Sequence, residues 1–395
     1  MMQSTMHPLT EDLVSFLQGR QAASILSHFS EEDLAPAQEN RLLVSLRKDF
    51  GPEKRAALID QGRLRLRARS KFPLAEGMLF TEESLQQATA FEIASYRTRW
   101  YERFEVVADL GCGVGGDSLP LSQREASLLC VERNPVLARL CQHNLSILPQ
   151  ASRTQVVCGD WTQLDVRPEA AFADPSRRVE GRRVFGLYQM IPPIEAFQGL
   201  LRRVPHLAIK VAPGIPREEI PEDAEAMFIS HESQCKEAVL LFGHLKQGTL
   251  RQAVILPAGD SLTSDDPDRP HSSDLPDRYL YEPDPAVIRA GLVRTLAERI
   301  DAWQIDPQIA YLTSNRLTET PFARVWEVLR HEPFQRKRLN RWLAELGSGD
   351  VVVKKRGFEL DPMEFRKTLK TKKKGPLHTV FLTRRDGRPW MIIAQ

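Results

Sequence analysis

The chain has 395 residues, more than a single core usually holds, so two or three domains are expected. With 42% hydrophobic and 27% charged residues it is not disordered throughout, and no apolar run nears the roughly 20 residues that cross a bilayer. A formal charge of +2 conceals a basic end: residues 331–395 carry 16 Lys and Arg against 7 Asp and Glu, a balance suited to a phosphate backbone.

The opening MMQSTMHPLTEDL has neither a basic start nor an apolar h-region, so a cytosolic protein is expected. Five cysteines (Cys112, Cys130, Cys141, Cys158, Cys235) form no C-x-x-C pair and no Cys/His cluster, which suggests reduced thiols and neither zinc nor a disulfide.

Residues 8–65 repeat apolar side chains every three or four positions in LTEDLVSFL, AASILSHF, RLLVSLRKDF and KRAALIDQGRLRL, with Thr10 and Ser30 placed as N-caps. A helical module over 1–75 follows. The stretch 78–104 predicts a further amphipathic helix, opened by Thr81 and broken near Thr89.

Between 104 and 257 the pattern alternates strand and helix: FEVVADL, ASLLCVE, TQVVCGD, AAFAD, HLAIKVA, AVLLFG and LRQAVIL read as strands, and PVLARLCQHNLSIL as a helix. Helix-length crossovers imply a parallel, doubly wound α/β sheet, assigned to 76–257. Residues 258–278, rich in Pro, Ser and Asp, are expected to be a linker or long loop. From 279 to 395 the order helix, two strands, helix, strand, helix, two strands describes a small basic α+β domain.

VVADLGCGVGGDS, at the exit of the first strand, holds Gly111, Gly113, Gly115 and Gly116 before a helix, where backbone N–H groups can approach a nucleotide-like ligand. The glycines alone are a weak signal. Three acids sharpen it: Asp109 can accept from the amino group of an amino-acid moiety, Glu132 can take both ribose hydroxyls, and Asp160 with Trp161 can meet an adenine amine and stack on its ring. These are the contacts of S-adenosyl-L-methionine more than of a nicotinamide dinucleotide, with core packing the lesser alternative for Trp161. Pro120, early in the following helix, predicts a late start or a distorted turn.

The fourth strand ends in Asp174-Pro175, the edge where open α/β sheets bind reacting ligands. An acid and a proline carbonyl there can accept from an amine and aim its lone pair, and alignment alone accounts for much of a transfer rate. Arg177 and Arg178 follow and can clamp a phosphate or pair with acids such as Glu180; Lys210, after the fifth strand, can contact phosphate or remain solvated.

The ordered set KFPLAEGMLFTEESLQQAT, DLGCGVGGD, ADPSRR, AIKVAPGI, YLYEPDPAVIRAGLV, IAYLTS and VKKRG resembles the bacterial class I (Rossmann-like) methyltransferases with a C-terminal THUMP-like domain, over residues 65–395. The core also resembles trimethylguanosine synthase, the RNA cap guanine methyltransferase: its T-P-E-x-I-A segment stands as Thr89 to Ala94, with proline and glutamate lost. Its D-P-P-W stands as Asp174-Pro175-Ser176-Arg177, so the stacking tryptophan is absent. The resemblance implies an S-adenosylmethionine-dependent, RNA-directed methyltransferase whose THUMP-like module presents RNA, and it does not identify the methylated atom; a base amine, guanine-like, of structured RNA such as tRNA or rRNA is the leading expectation. Asp174 and Pro175 would position the acceptor, Thr89, Lys210, Arg177 and Arg178 would face substrate, and no metal is implied. A methyltransferase of proteins or small molecules, and a non-catalytic RNA binder with a cofactor pocket, are the competing readings.

Overall fold

The computed structural model describes residues 8–149, 151–176, 178–179, 182–183, 186–270, 274–372 and 374–395. They divide into two compact units, Met1–Ala224 with Val239–Gln247, and Glu225–Ala238 with Gly248–Gln395.

The first unit opens with helices α1 (Glu11–Leu17), α2 (Arg20–His28), α3 (Glu39–Ser45) and α4 (Pro52–Ala68). Thr10 caps α1, accepting from Leu13 N–H at 3.3 Å. Ser30 starts no helix: its N–H and hydroxyl donate to Asp33, closing a local turn that competes with helix. Leu13, Val14, Leu17, Leu58 and Leu64 are buried between the helices, as their spacing requires.

After α4 the chain returns through the extended Met78–Phe80, held by side-chain amides. Gln61 Nε2 donates to Phe80 O at 2.6 Å and Gln61 Oε1 accepts from Phe80 N–H at 3.0 Å. The predicted helix over 78–104 is two, α5 (Glu82–Gln87) and α6 (Phe91–Thr98), interrupted at Ala88–Ala90, and a reciprocal Thr81–Ser84 capping box opens α5.

Strands β1 (Val106–Leu110), β2 (Ser127–Glu132), β3 (Thr154–Cys158) and β4 (Ala170–Ala173) follow, with α7 (Ser118–Leu121) and α8 (Pro135–Ser146) between them. α7 is a single turn holding Pro120. Asn134 caps α8, accepting from Val136 and Leu137 N–H groups. Two short strands, β5 (Arg178–Val179) and β6 (Arg182–Arg183), precede α9 (Ile194–Leu201) and β7 (His206–Val211). The order β7-β4-β1-β2-β3 is parallel throughout, with register pairs such as Asp109↔Cys130 and Asp109↔Phe172. All four residues of β4 are buried, so a continuous small apolar run marks a central strand.

In the second unit β8 (Glu225–His231), β9 (Gln234–Leu241, whose last three residues belong to the first unit), β10 (Arg251–Leu256) and β11 (Asp260–Thr263) come first. β10 runs parallel to β8, and β11 pairs antiparallel with β10, so the stretch expected as a linker begins with a strand. β12 (Tyr279–Pro283), α10 (Pro285–Ala290), α11 (Val293–Arg299), β13 (Trp303–Asp306), β14 (Ile309–Ser314), β15 (Ala323–Pro333), α12 (Arg336–Glu345), β16 (Asp350–Lys355), α13 (Pro362–Lys367), β17 (Leu377–Arg385) and β18 (Arg388–Ala394) complete the chain. One predicted helix is split into α10 and α11 at Gly291, whose φ of +70° closes α10 in the left-handed region.

The seven-stranded order is β13-β14-β12-β15-β18-β17-β16. Alternation along β17 and β18 sends Val380, Leu382, Met391 and Ile393 to one core with Leu339, Trp342 and Leu343 of α12, and Phe381, Ile392 and Ala394 to the other with Leu280 and Tyr311. Among the described residues no helix is long and apolar enough to cross a membrane.

Candidate active site

The glycine loop leaves β1 with Gly111, Gly113 and Gly115 at φ +81°, +55° and +87°, the left-handed region that side chains resist. A Cβ on Gly111 would lie 3.3 Å from the Asp174 carbonyl, and one on Gly115 3.2 Å from Cys141 Sγ. One on Gly113 would meet no atom of the described residues within 4 Å and would stand in the open space of the loop's cradle. Asn144 Nδ2 of α8 donates to Val114 O at 2.9 Å and to Leu79 O at 3.1 Å, clamping the loop to the extended segment.

Of the acids predicted for this loop, Glu132 bonds it directly and Asp109 bonds the helix that follows it. Glu132, buried at the end of β2, accepts from Gly113 N–H at 3.0 Å and Asn134 N–H at 2.8 Å. Asp109 is 1% exposed; its Oδ2 accepts from the Ser118 hydroxyl, while Oδ1 is buried and has no hydrogen-bond partner among the described residues. Burial, with Asp117 and Cys130 nearby, holds the Asp109 carboxyl well above the usual range.

Asp160 is exposed at the end of β3, its Oδ1 accepting from the N–H and hydroxyl of Thr162, which lower its pKa. Gly159 N–H donates to Glu132 O at 2.9 Å, tying the ends of β2 and β3 together. Trp161 is buried, its ring 5.1 Å from that of Phe197 on α9.

Asp174 follows β4, its backbone N–H donating to Leu110 O at 3.3 Å; Pro175 beside it is buried. Lys210 is neither solvated nor turned outward. Its side chain is 5% exposed, and Nζ donates to Asp174 Oδ2 and Thr89 Oγ1, each at 2.7 Å. Thr89 in turn donates to Asp117 Oδ2 at 3.1 Å, and Arg97 pairs with Asp117 Oδ1 while lying 4.2 Å over the Phe172 ring. Arg177 lies outside the described residues, as does the side chain of Arg178.

Sequence reasoning missed Asp117 and Arg97; the acid after the glycines was the available signal. It also missed that Cys112, Cys130 and Cys141, scattered in sequence, bring their Sγ atoms within 4.8 Å of one another beside the glycine loop.

Two curated proteins of Mycobacterium tuberculosis, from strains CDC 1551 / Oshkosh and ATCC 25618 / H37Rv, are each described as an uncharacterized S-adenosylmethionine-dependent methyltransferase. Each is 34% identical to this chain over 314 residues, 76% of this chain and 84% of the relative. The chain belongs to the S-adenosylmethionine-dependent methyltransferases. A crystal structure from Porphyromonas gingivalis W83, described as a candidate methyltransferase, matches 98% of this methyltransferase and 99% of its own chain, with TM-score 0.78 and 22% identity, a likeness of fold. The THUMP domain-like family matches residues 323–395.

The cofactor is S-adenosyl-L-methionine. The residues present fit it: a three-glycine turn with an open cradle, a carboxylate on the loop apex at the β2 end, and a buried carboxyl oxygen with no partner among the described residues.

Proposed function

We propose that this methyltransferase acts on RNA, at an exocyclic base amine, guanine-like, of a structured RNA such as tRNA or rRNA. The observation that carries the reading is Asp174. It ends a buried central strand, its carbonyl 3.3 Å from where Gly111 would place a Cβ, and among the described residues its Oδ1 accepts no hydrogen bond. Such an oxygen can take an N–H of the acceptor and leave the nitrogen lone pair aimed across the glycine loop.

In this reading Asp109, Gly111, Gly113, Gly115, Glu132, Asp160 and Trp161 would hold the cofactor, which when bound would supply an activated methyl for transfer to the amine nitrogen, the sulfur keeping the bonding pair. Asp174 and the Pro175 carbonyl fix the amine. The proton it sheds leaves through Asp174 to water. Arg177 and Arg178 grip a substrate phosphate where relatives of trimethylguanosine synthase stack an aromatic ring.

The basic end supports RNA as the partner. Arg336, Lys337, Arg341, Lys355, Lys370 and Lys372 are exposed and form no ion pair among the described residues, whereas Lys354, Arg366 and Lys367 are paired with Glu282, Asp350 and Glu364. We assign 1–75 to a helical module, 76–257 to the catalytic domain, 258–278 to a connection and 279–395 to the THUMP-like domain, in a cytoplasmic protein that needs no metal.

The test is Asp174→Ala, assayed with labelled cofactor on RNA from cells lacking this protein, with nucleosides read by mass spectrometry. Transfer is expected to fall by at least a hundredfold with cofactor affinity unchanged. Full activity on RNA would reject the role.

A further inference from the structure

We propose that Lys210 is the positioning residue of the acceptor site and restricts it to uncharged N–H donors. This rests on the reading of Asp174 as acceptor positioner.

The ammonium of Lys210 is enclosed, and a buried charge is tolerated only with partners. Two are fixed: Asp174 Oδ2 and Thr89 Oγ1, both at 2.7 Å. Thr89 is itself buried and held by Asp117, whose second oxygen is paired with Arg97. The Asp174 carboxylate therefore hangs from a chain of four side chains drawn from α6, the segment before it, the glycine loop and β7. It is not a carboxylate at the tip of a mobile loop.

Two consequences follow. With Oδ2 occupied, the carboxylate cannot rotate to chelate an acceptor through both oxygens, so one N–H donor at Oδ1 sets the direction of attack. With a positive charge 2.7 Å from Oδ2, much of the carboxylate's attraction for a cation is already offset, so a protonated amine gains little at Oδ1 and has no lone pair to offer the methyl. A protonated lysine side chain of a protein is thereby disfavoured. A neutral nucleobase amine, hydrogen-bonding without charge, is accepted.

The experiment has two arms. Labelled cofactor is offered with RNA from cells lacking this protein, or with a lysine-rich peptide at neutral pH. Label in RNA alone is expected; label on the peptide and none on RNA overturns the specificity. In the second arm, Lys210→Met is expected to keep the cofactor Kd within threefold while kcat/KM on RNA falls about a hundredfold, the size of loss a misplaced reacting group produces. Lys210→Arg is expected to recover part of it. Lys210→Met with Asp174→Asn is expected to be no worse than Asp174→Asn alone, because both act through one group.

If Lys210→Met does not fold, Thr89→Val supplies the same test: the ion pair stays but its second anchor goes, and kcat is expected to fall about tenfold at unchanged cofactor Kd. Unchanged kcat/KM in the Lys210 or Thr89 variant, or a loss matched by weaker cofactor binding, overturns the proposal. An inert Asp174→Ala beside a normal Lys210→Met removes this inference alone, whereas a fully active Asp174→Ala removes the reading beneath it.

Discussion

The carboxylate of Glu132 accepts the Gly113 backbone N–H at 3.0 Å, joining the end of β2 to the apex of the glycine loop. A second bond, from Asn134 N–H at 2.8 Å, ties the same carboxylate to the start of α8. Glu132→Ala removes the acceptor of the half-buried Gly113 N–H and of the exposed Asn134 N–H; the first loss costs about 1 kcal/mol and the second is made good by water. Cofactor affinity is expected to fall at least tenfold by calorimetry, with a lower melting temperature. Glu132→Gln, which keeps one acceptor oxygen, is expected to recover stability more than affinity; a Glu132→Ala protein with unaltered cofactor Kd would refute the coupling.

Asp109 gives a pH dependence whose sign is fixed by burial. Its pKa is raised in the folded protein, so the folded state binds the proton more tightly than the unfolded one. The contribution of Asp109 to stability is complete below the unfolded value near ~3.9 and is lost as pH rises toward the folded value. Asp109→Asn removes that loss. Its melting temperature at pH 7.5 is expected to equal or exceed that of the natural protein, with the difference shrinking toward pH 4. In the proposed contact the cofactor ammonium supplies a countercharge and so lowers the raised Asp109 pKa, and proton release on binding is expected in the pH range between the free and bound values, seen as a dependence of calorimetric heat on buffer ionisation enthalpy. Proton release that persists in Asp109→Asn would assign it to another group.

The Arg97–Asp117 pair is enclosed, with side-chain exposures of 3% and 11%. Removing one partner of such a pair strands the other, at about 3–5 kcal/mol. Arg97→Met is expected to lower the urea midpoint accordingly. Arg97→Met with Asp117→Asn should be less destabilised than the sum of the two singles, and strict additivity would show that the two side chains are energetically independent.

Much of this was legible in the sequence because it rests on local rules. The parallel strands are continuous apolar runs, the glycines announce positive φ, and Glu132 stands where a strand ends. β8 escaped because its turn into β9 is Glu232-Ser233, both at positive φ with neither glycine nor asparagine to signal it. The Lys210 network was hidden for a different reason. Thr89 and Lys210 are 121 positions apart and meet only once the sheet has formed. Cys130 reaches the glycine loop through the register that sets it against Asp109, and Cys141 through the return of α8; neither leaves a spacing motif.

Gly113 and Gly115 separate the loop's two tasks. Both take positive φ, where an alanine costs about 1–2 kcal/mol. A methyl on Gly113 touches no atom of the described residues and enters the cradle, whereas one on Gly115 lies 3.2 Å from Cys141 Sγ and must push into α8. Gly113→Ala is therefore expected to fold with a small loss of stability yet to lose cofactor affinity by tenfold or more. Gly115→Ala is expected to lose more stability, about 2–3 kcal/mol once the crowding is added, with a smaller loss of affinity per unit of destabilisation. Thermal melting and calorimetric titration of the two variants decide the matter. Gly113→Ala binding the cofactor within threefold of the natural protein would mean that the cradle lies elsewhere on the loop.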